Sequence, residues 1–71
     1  MATEVEAQIT GTVFQLSVAV GAHVSEGDEL LVLESMKMEI PVEAPCAGAV
    51  RAIHVSEGDG VEEGDVLAVI G

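Results

Sequence analysis

Apolar and polar residues alternate over short stretches of this chain, and the alternation recurs in both halves. A period of two is typical of a β-strand that buries one face. Neither half contains a stretch with a convincing helical period, so the pattern predicts an all-β protein made of short strands. The alternation is clearest in two triplets of apolar positions: Val5, Ala7, Ile9 and Val42, Ala44, Cys46.

The segments after these triplets extend the prediction. Alternation runs from Phe14 to Val20, and we expect Phe14, the only aromatic residue, to lie in the core. Val13 and Val50 fall out of phase with their neighbours, which predicts a β-bulge in each half. Two runs are apolar on both faces, as strands enclosed in a small barrel or sandwich would be: residues 30–33 and 66–70.

Glycine-rich stretches separate the predicted strands. Residues 21–28 and 58–65 each contain two glycine turns on either side of one valine, Val24 or Val61. Glycine supplies the positive φ that such turns need, and aspartate can bond to the neighbouring backbone. We therefore expect tight turns here, with the valine buried between them.

The second half of the chain repeats the first. Residues 5–34 align without a gap on residues 42–71 at an offset of 37, and 13 of the 30 pairs are identical. About 3 identities would arise by chance at this composition, so the sequence contains a duplicated unit. Copies this short can hardly bury a core separately. We therefore expect them to clasp each other about a pseudo-two-fold axis in a single domain, residues 1–71.

The two copies are joined by residues 35–41, which carry Lys37, the only lysine in the chain. Residues 30–35 are expected to run up to a two-residue tip, Met36-Lys37, and the next strand to run back. A two-residue tip that matches strand twist is a primed turn, and its type I′ form needs positive φ at both central residues and usually contains Asn-Gly. Met and Lys are unfavourable there by on the order of 1–3 kcal/mol per residue, which suggests selection for their side chains. Pro41 predicts an edge strand or an unpaired position close to the tip, because proline cannot donate to a ladder.

Composition narrows the function classes. Thirteen acidic residues against two basic ones give a net charge of −11, which disfavours binding to nucleic acid or anionic membranes and favours a monomer. Cys46 has no partner for an internal disulfide, and with His23 and His54 it lies outside any zinc-motif spacing. The first residues form no signal segment and no run is long enough for a membrane span, so with the free thiol we expect a cytoplasmic protein.

The junction of the copies contains the sequence Glu34-Ser35-Met36-Lys37-Met38-Glu39-Ile40-Pro41-Val42, followed by Ala44-Pro45 and Gly48. These residues resemble a known family, the biotinyl domain of biotin carboxyl carrier proteins. The resemblance covers essentially the whole chain and is strongest to the short stand-alone biotinyl/lipoyl attachment proteins. It implies a flattened β-barrel, or barrel-sandwich hybrid, of two four-stranded antiparallel sheets with a pseudo-two-fold internal repeat. It also implies covalent biotin in amide linkage on Lys37.

The resemblance further implies three partner enzymes and no catalysis by the chain itself. In the family, a biotin protein ligase attaches the cofactor and a biotin carboxylase carboxylates it with ATP and bicarbonate. A carboxyltransferase then moves the carboxyl group to an acceptor. A lysine amine is unprotonated in only roughly one molecule in a few thousand at neutral pH, so we expect the ligase to activate Lys37.

The neighbours of the lysine are candidates for recognition. Met36 at an exposed tip has no core to fill, so we expect Met36 and Met38 to contact cofactor or partner. Glu34 and Glu39 could form an acid–base pair, but without pocket-forming residues we expect solvated carboxylates or contacts with the ligase and other partners. Ser35, where many family members have alanine, is grouped with them. We expect no catalytic residue and no metal ligand.

Two other functions remain open at this stage. A lipoyl carrier would share the fold, although its motif resembles Asp-Lys-Ala rather than Met-Lys-Met. An interaction module of the same fold that is never modified is the alternative from a different class. Intact mass would separate the two cofactors, and streptavidin binding after expression with a suitable ligase would separate the biotinylated carrier from the unmodified module.

Overall fold

The computed structural model describes residues 2–71, which form eight β-strands. The prediction of an all-β protein is confirmed. Among these residues there is no helix long and apolar enough to cross a membrane. In chain order the strands are β1 Thr3–Glu6, β2 Gly11–Leu16, β3 His23–Val24, β4 Glu29–Ser35, β5 Met38–Glu43, β6 Gly48–Ile53, β7 Gly60–Val61 and β8 Val66–Ile70.

The strands form two four-stranded antiparallel sheets. One has the order β1-β8-β6-β3 and the other has the order β5-β4-β2-β7. Since β1 and β5 each pair on one side only, both are edge strands. This architecture is the flattened β-barrel that the family resemblance implied, so the predicted fold class is confirmed.

The two sheets are related by the offset found in the sequence. In the first sheet Thr3 of β1 lies opposite Ile70 of β8. In the second sheet, Ile40 of β5 lies opposite Leu33 of β4. Ile40 is 37 positions after Thr3, and Leu33 is 37 positions before Ile70. The pairing registers therefore show the pseudo-two-fold internal repeat. The limits of the copies, residues 5–34 and 42–71, stay a prediction.

Two clusters of buried residues fill the barrel, and they correspond at the same offset. Leu30 and Leu67 are both fully buried, one in each cluster. Burial of such a side chain contributes about 1.5–3 kcal/mol. Val24 and Val61 are buried between their turns, as predicted. One cluster contains Ala7, Val13, Leu31, Leu33, Val61 and Leu67. In the same order, their counterparts in the other cluster are Ala44, Val50, Ala68, Ile70, Val24 and Leu30.

Both predicted bulges occur. The register shifts between Val13 and Gln15 where β2 pairs with β4, and the second copy shifts at the equivalent place where β6 pairs with β8. Phe14 is the extra residue of the first bulge and is 48% exposed, so the prediction that it lies in the core is wrong. The bulge removes Phe14 from the alternation of buried positions. The strand also ends earlier than expected, at Leu16, and Val20 is exposed.

The predicted turns are formed by glycine and aspartate together. Gly27 and Gly64 have φ of 90° and 93°, a region that residues with a Cβ rarely adopt. Asp28 accepts the backbone N–H of Ser25 at 2.8 Å, and Asp65 makes the corresponding bond at 2.9 Å in the second copy. These short-range bonds reverse the chain before β4 and before β8, each of which is an inner strand of its own sheet.

Candidate functional site

The hairpin between β4 and β5 places the only lysine at its tip. The two strands pair up to Ser35 opposite Met38, which leaves Met36 and Lys37 as the connecting residues. Their φ angles are 53° and 67°, and no other non-glycine residue in the range 2–71 has positive φ. The predicted two-residue turn with positive φ at both positions is confirmed. Since L-residues lose roughly 1–2 kcal/mol each in this conformation, the tip is locally strained.

The side chains at the tip are open to solvent. Met36 is 88% exposed and Met38 is 57% exposed, so neither fills the core. Lys37 is exposed as well. An exposed thioether side chain is flexible and polarisable, and it can adapt to different apolar surfaces. The tip thus presents an amine between two exposed, flexible apolar groups.

Two carboxylates stand directly below the tip. Glu34 and Glu39 lie opposite each other in the β4–β5 ladder, and both are exposed. Like charges at directly opposed positions destabilise a strand pair. Ser35, half-buried, lies between Glu34 and the turn. The structure therefore brings together all six residues predicted for the site, Glu34, Ser35, Met36, Lys37, Met38 and Glu39, within a single hairpin end.

The stem of the hairpin is held closely by the neighbouring strand β2. Thr12 lies opposite Glu34, and a Cβ built on Gly11 would lie 2.5 Å from the Glu34 carbonyl oxygen and 3.3 Å from the Ser35 Cβ. A methyl group at Gly11 therefore does not fit unless the strands separate. The sequence pattern did not place Gly11 at the functional site. Its recurrence as Gly48 at the offset of 37 is the signal that marks it as structural.

On the other side of β4 lies an outer strand of the sheet. β5 pairs only with β4, and Pro41 is opposite Val32 in that ladder. The position of Pro41 on an edge strand is as predicted. Proline on the edge also makes this strand a poor template for pairing with another chain.

A groove of about 350 Å³ runs between the two edge strands β1 and β5. Its walls include pairs related by the offset, such as Val5 with Val42 and Glu6 with Glu43. No residue from 34 to 39 lines it. Lys37 therefore lies on the surface, outside this groove. Glu34 and Glu39 are exposed and lie outside this groove.

The remaining reactive side chains lie elsewhere. His23 and His54 are exposed, and Cys46 is half-buried against one of the core clusters. Across residues 2–71 there is no group of three or more His, Cys, Asp or Glu side chains arranged to hold a metal ion. These three residues are therefore not part of the hairpin site.

Comparison with known proteins relates the whole chain to one family. A family model described as "Biotin-requiring enzyme" matches residues 1–70. The biotinylated protein TB7.3 homolog of Mycolicibacterium smegmatis is 52% identical over 42 residues, which is 59% of this chain and 59% of that protein. The biotin/lipoyl attachment protein of Bacillus subtilis is 44% identical over 38 residues, 54% of this chain and 52% of that protein. The chain thus spans between half and three fifths of the length of these curated relatives.

Solved structures with the same fold come from much longer chains. Urea carboxylase of Kluyveromyces lactis superposes with a TM-score of 0.95 at 39% identity, covering 100% of this chain and 6% of that one. A single-chain, multi-domain long-chain acyl-CoA carboxylase superposes with a TM-score of 0.90 at 37% identity, covering 96% of this chain and 7% of that one. Both similar proteins are carboxylases.

Proposed function

Because the chain belongs to the biotin-requiring enzyme family, whose model matches residues 1–70, we propose that it is a biotin carboxyl carrier modified on Lys37. The observation that carries the proposal is the position of this lysine. It is the only lysine in the chain and occupies the exposed tip of a strained two-residue turn. The likeness to two carboxylases supports a carrier role.

The covalent step is acylation of the Lys37 amine by a biotin protein ligase. The Nζ lone pair forms an amide bond to the carboxyl carbon of biotin, which the ligase has activated as an acyl phosphate anhydride. The phosphate leaving group would depart with the electrons of the broken bond, and bases in the ligase would take the two protons that a lysine ammonium loses when it becomes an amide. The chain supplies an exposed, positioned nucleophile, and the ligase supplies the activation that a protonated amine lacks.

Once attached, biotin supplies the carboxyl-carrying group, and this chain carries it between a biotin carboxylase and a carboxyltransferase. The chain is not a catalyst in this scheme. Its net charge of −11 becomes more negative by one when the amine is acylated, which favours brief encounters with basic surfaces over a tight complex. We propose that it works as a monomer in the cytoplasm, where the single thiol of Cys46 would remain reduced.

The residues next to the lysine have two roles in this proposal. Met36 and Met38, both exposed, contact the biotin arm or the partner active sites. Glu34, Ser35 and Glu39 form the part of the stem that the ligase and other partners recognise. Support for this division comes from the pairing of the hairpin, which places the methionines at or next to the turn and the carboxylates one step below.

Lipoylation is the second candidate, because the Bacillus subtilis relative is named a biotin/lipoyl attachment protein. The methionines on both sides of Lys37 favour biotin. The exposed hairpin tip would suit either cofactor, since each is attached through a lysine amide. An unmodified interaction module of the same fold is the remaining alternative.

The test is co-expression with a biotin protein ligase, followed by intact mass measurement and peptide mass spectrometry. We expect one biotin per chain, located on Lys37, and no labelling of Lys37→Arg. Intact mass distinguishes biotin from lipoyl, and streptavidin binding distinguishes the modified carrier from the unmodified module. Biotin that persists in Lys37→Arg would refute attachment at this residue.

A further inference from the structure

The strand β2 approaches the base of the hairpin more closely than a side chain allows. A Cβ on Gly11 would lie 2.5 Å from the Glu34 carbonyl oxygen, 3.3 Å from the Glu34 carbonyl carbon and 3.3 Å from the Ser35 Cβ. The nearest atom belongs to the backbone, so rotation of a side chain cannot relieve the contact. The strands would have to separate by about half an ångström for the distance to reach 3.0 Å.

The contact is one residue away from the strained turn. Ser35 pairs with Met38 across the hairpin, and the turn residues follow directly. Because β4 and β5 remain paired to each other, a shift of the stem moves the turn with it as a unit. A displacement of the stem at Gly11 is therefore passed on to the turn that carries Lys37.

We propose that Gly11 is a positioning residue for modification of Lys37, acting through the backbone of Glu34 and Ser35. This inference rests on the proposed function of Lys37 as an acylated residue. A ligase that contacts both the barrel and the tip requires the amine at a fixed place relative to the barrel. A misplacement of about 1 Å can reduce the rate of a positioned reaction about 100-fold.

The experiment measures ligase kinetics and backbone chemical shifts for Gly11→Ala. With a biotin protein ligase, biotin and ATP, we expect kcat for labelling to fall about tenfold or more, while KM for the carrier changes less than about twofold because the barrel surface is intact. In ¹H–¹⁵N spectra of the unmodified protein, the amide signals of residues 34–39 should shift. The signals of β6 and β8 should stay in place.

The chain offers two matched glycine controls. Gly60 lies on β7 opposite Thr12, and a Cβ there would have no atom within 4 Å. Gly60→Ala should label like the wild type. Gly48, the counterpart of Gly11, has φ of 158° and would bring a Cβ 3.0 Å from Ile70 Cγ2 and 3.6 Å from Gly71. Gly48→Ala should lower stability without reducing kcat.

A second variant approaches the same contact from the hairpin side. Ser35→Val adds bulk to the residue whose Cβ faces Gly11. Because Ser35 belongs to the proposed recognition stem, this variant is judged only by the amide signals of residues 37–39, which should shift. Should Gly11→Ala fail to fold, these shifts in Ser35→Val decide the question. The proposal is overturned if folded Gly11→Ala labels within twofold of the wild type, or if residues 37–39 keep their chemical shifts in the folded variants.

The design separates this inference from the function on which it rests. If wild-type protein is not labelled by the ligase, the proposed function fails, and the chemical shifts alone then report whether Gly11 positions the hairpin. If wild-type and Gly60→Ala proteins are labelled but Gly11→Ala is unaffected, the positioning role fails and the carrier function stands. A loss of labelling in Gly48→Ala equal to that in Gly11→Ala would attribute the effect to stability and overturn the proposal.

Discussion

The strain at the hairpin tip predicts that Met36→Asn stabilises the protein. Met36 has φ of 53°, a conformation that costs an L-residue roughly 1–2 kcal/mol. Asparagine adopts this region several-fold more readily than most residues. The Met36 side chain is 88% exposed, so its replacement removes little apolar contact. We expect the free energy of unfolding to rise by about 0.5–1 kcal/mol, because about half of the strain is relieved.

In a domain of this size, 1 kcal/mol shifts Tm by about 4–8 °C. Thermal unfolding of Met36→Asn, followed by far-UV circular dichroism, should therefore show Tm about 2–8 °C above that of the wild type. The matched control is Met38→Asn, on β5 and 57% exposed. It lacks positive φ, and asparagine is unfavourable in strands, so its Tm should be unchanged or lower.

The double variant Met36→Asn, Lys37→Gly gives the preferred sequence for a type I′ turn. It should be more stable than the wild type by about 1–2 kcal/mol and should not be biotinylated. If Tm of Met36→Asn equals or falls below that of the wild type, the turn is not a source of strain. The methionine would then have to be explained by stability and not by contacts with partners.

Two further predictions concern the core and the recognition of the tip. Leu30 and Leu67 are matched positions that are both fully buried, so Leu30→Ala and Leu67→Ala should each lower the free energy of unfolding by about 2–5 kcal/mol. Each variant should unfold in one transition, and two separate transitions in urea would contradict a single domain. Met36→Leu and Met38→Leu should still be labelled by the ligase, since side-chain volume and apolarity are nearly conserved. Carboxylation in a reconstituted carboxylase should fall more than labelling does. The opposite order would mean that the methionines serve recognition by the ligase.

Local rules were sufficient to predict the tip from the sequence. The repeat located the junction, a hairpin with a two-residue tip was expected there, and the type I′ form of such a tip has the positive φ observed at Met36 and Lys37. The bulges at Val13 and Val50 were also predictable, because a break in alternation recurs at the same place in both copies. In each case the signal lies within a few neighbouring residues.

The environment of Phe14 was not predictable from hydrophobicity. Alternation indicates which strand positions face inward only where the ladder is regular, and the bulge removes one residue from the count. The same break that predicted the bulge made the inward assignment of Phe14 unreliable. Its counterpart Arg51, exposed and polar, shows that this position lies outside the core in both copies.

The groove and the close contact at Gly11 depend on tertiary geometry. The groove forms between β1 and β5, strands that belong to different sheets. Its width follows from the curvature of the barrel, which no local pattern specifies. The contact of Gly11 with Glu34 joins residues that are distant in sequence, and only the separation of the strand backbones reveals why a side chain is excluded.

The pseudo-symmetry separates what belongs to the barrel from what belongs to the site. At the offset of 37, Gly11 corresponds to Gly48 and Glu34 corresponds to Gly71. Gly11 closely approaches Glu34, and Gly48 closely approaches Ile70 and Gly71. The contact that positions the hairpin is thus a general feature of the repeat, while the strained Met36-Lys37 turn occurs only at the junction. A change at Gly11 should therefore move the Lys37 amine without changing the chemical identity of the side chains beside it. A change at Met36 should replace one of those side chains without moving the stem. Position and recognition can then be varied separately in one hairpin, which is why ligase kinetics and carboxylation are expected to respond to different residues.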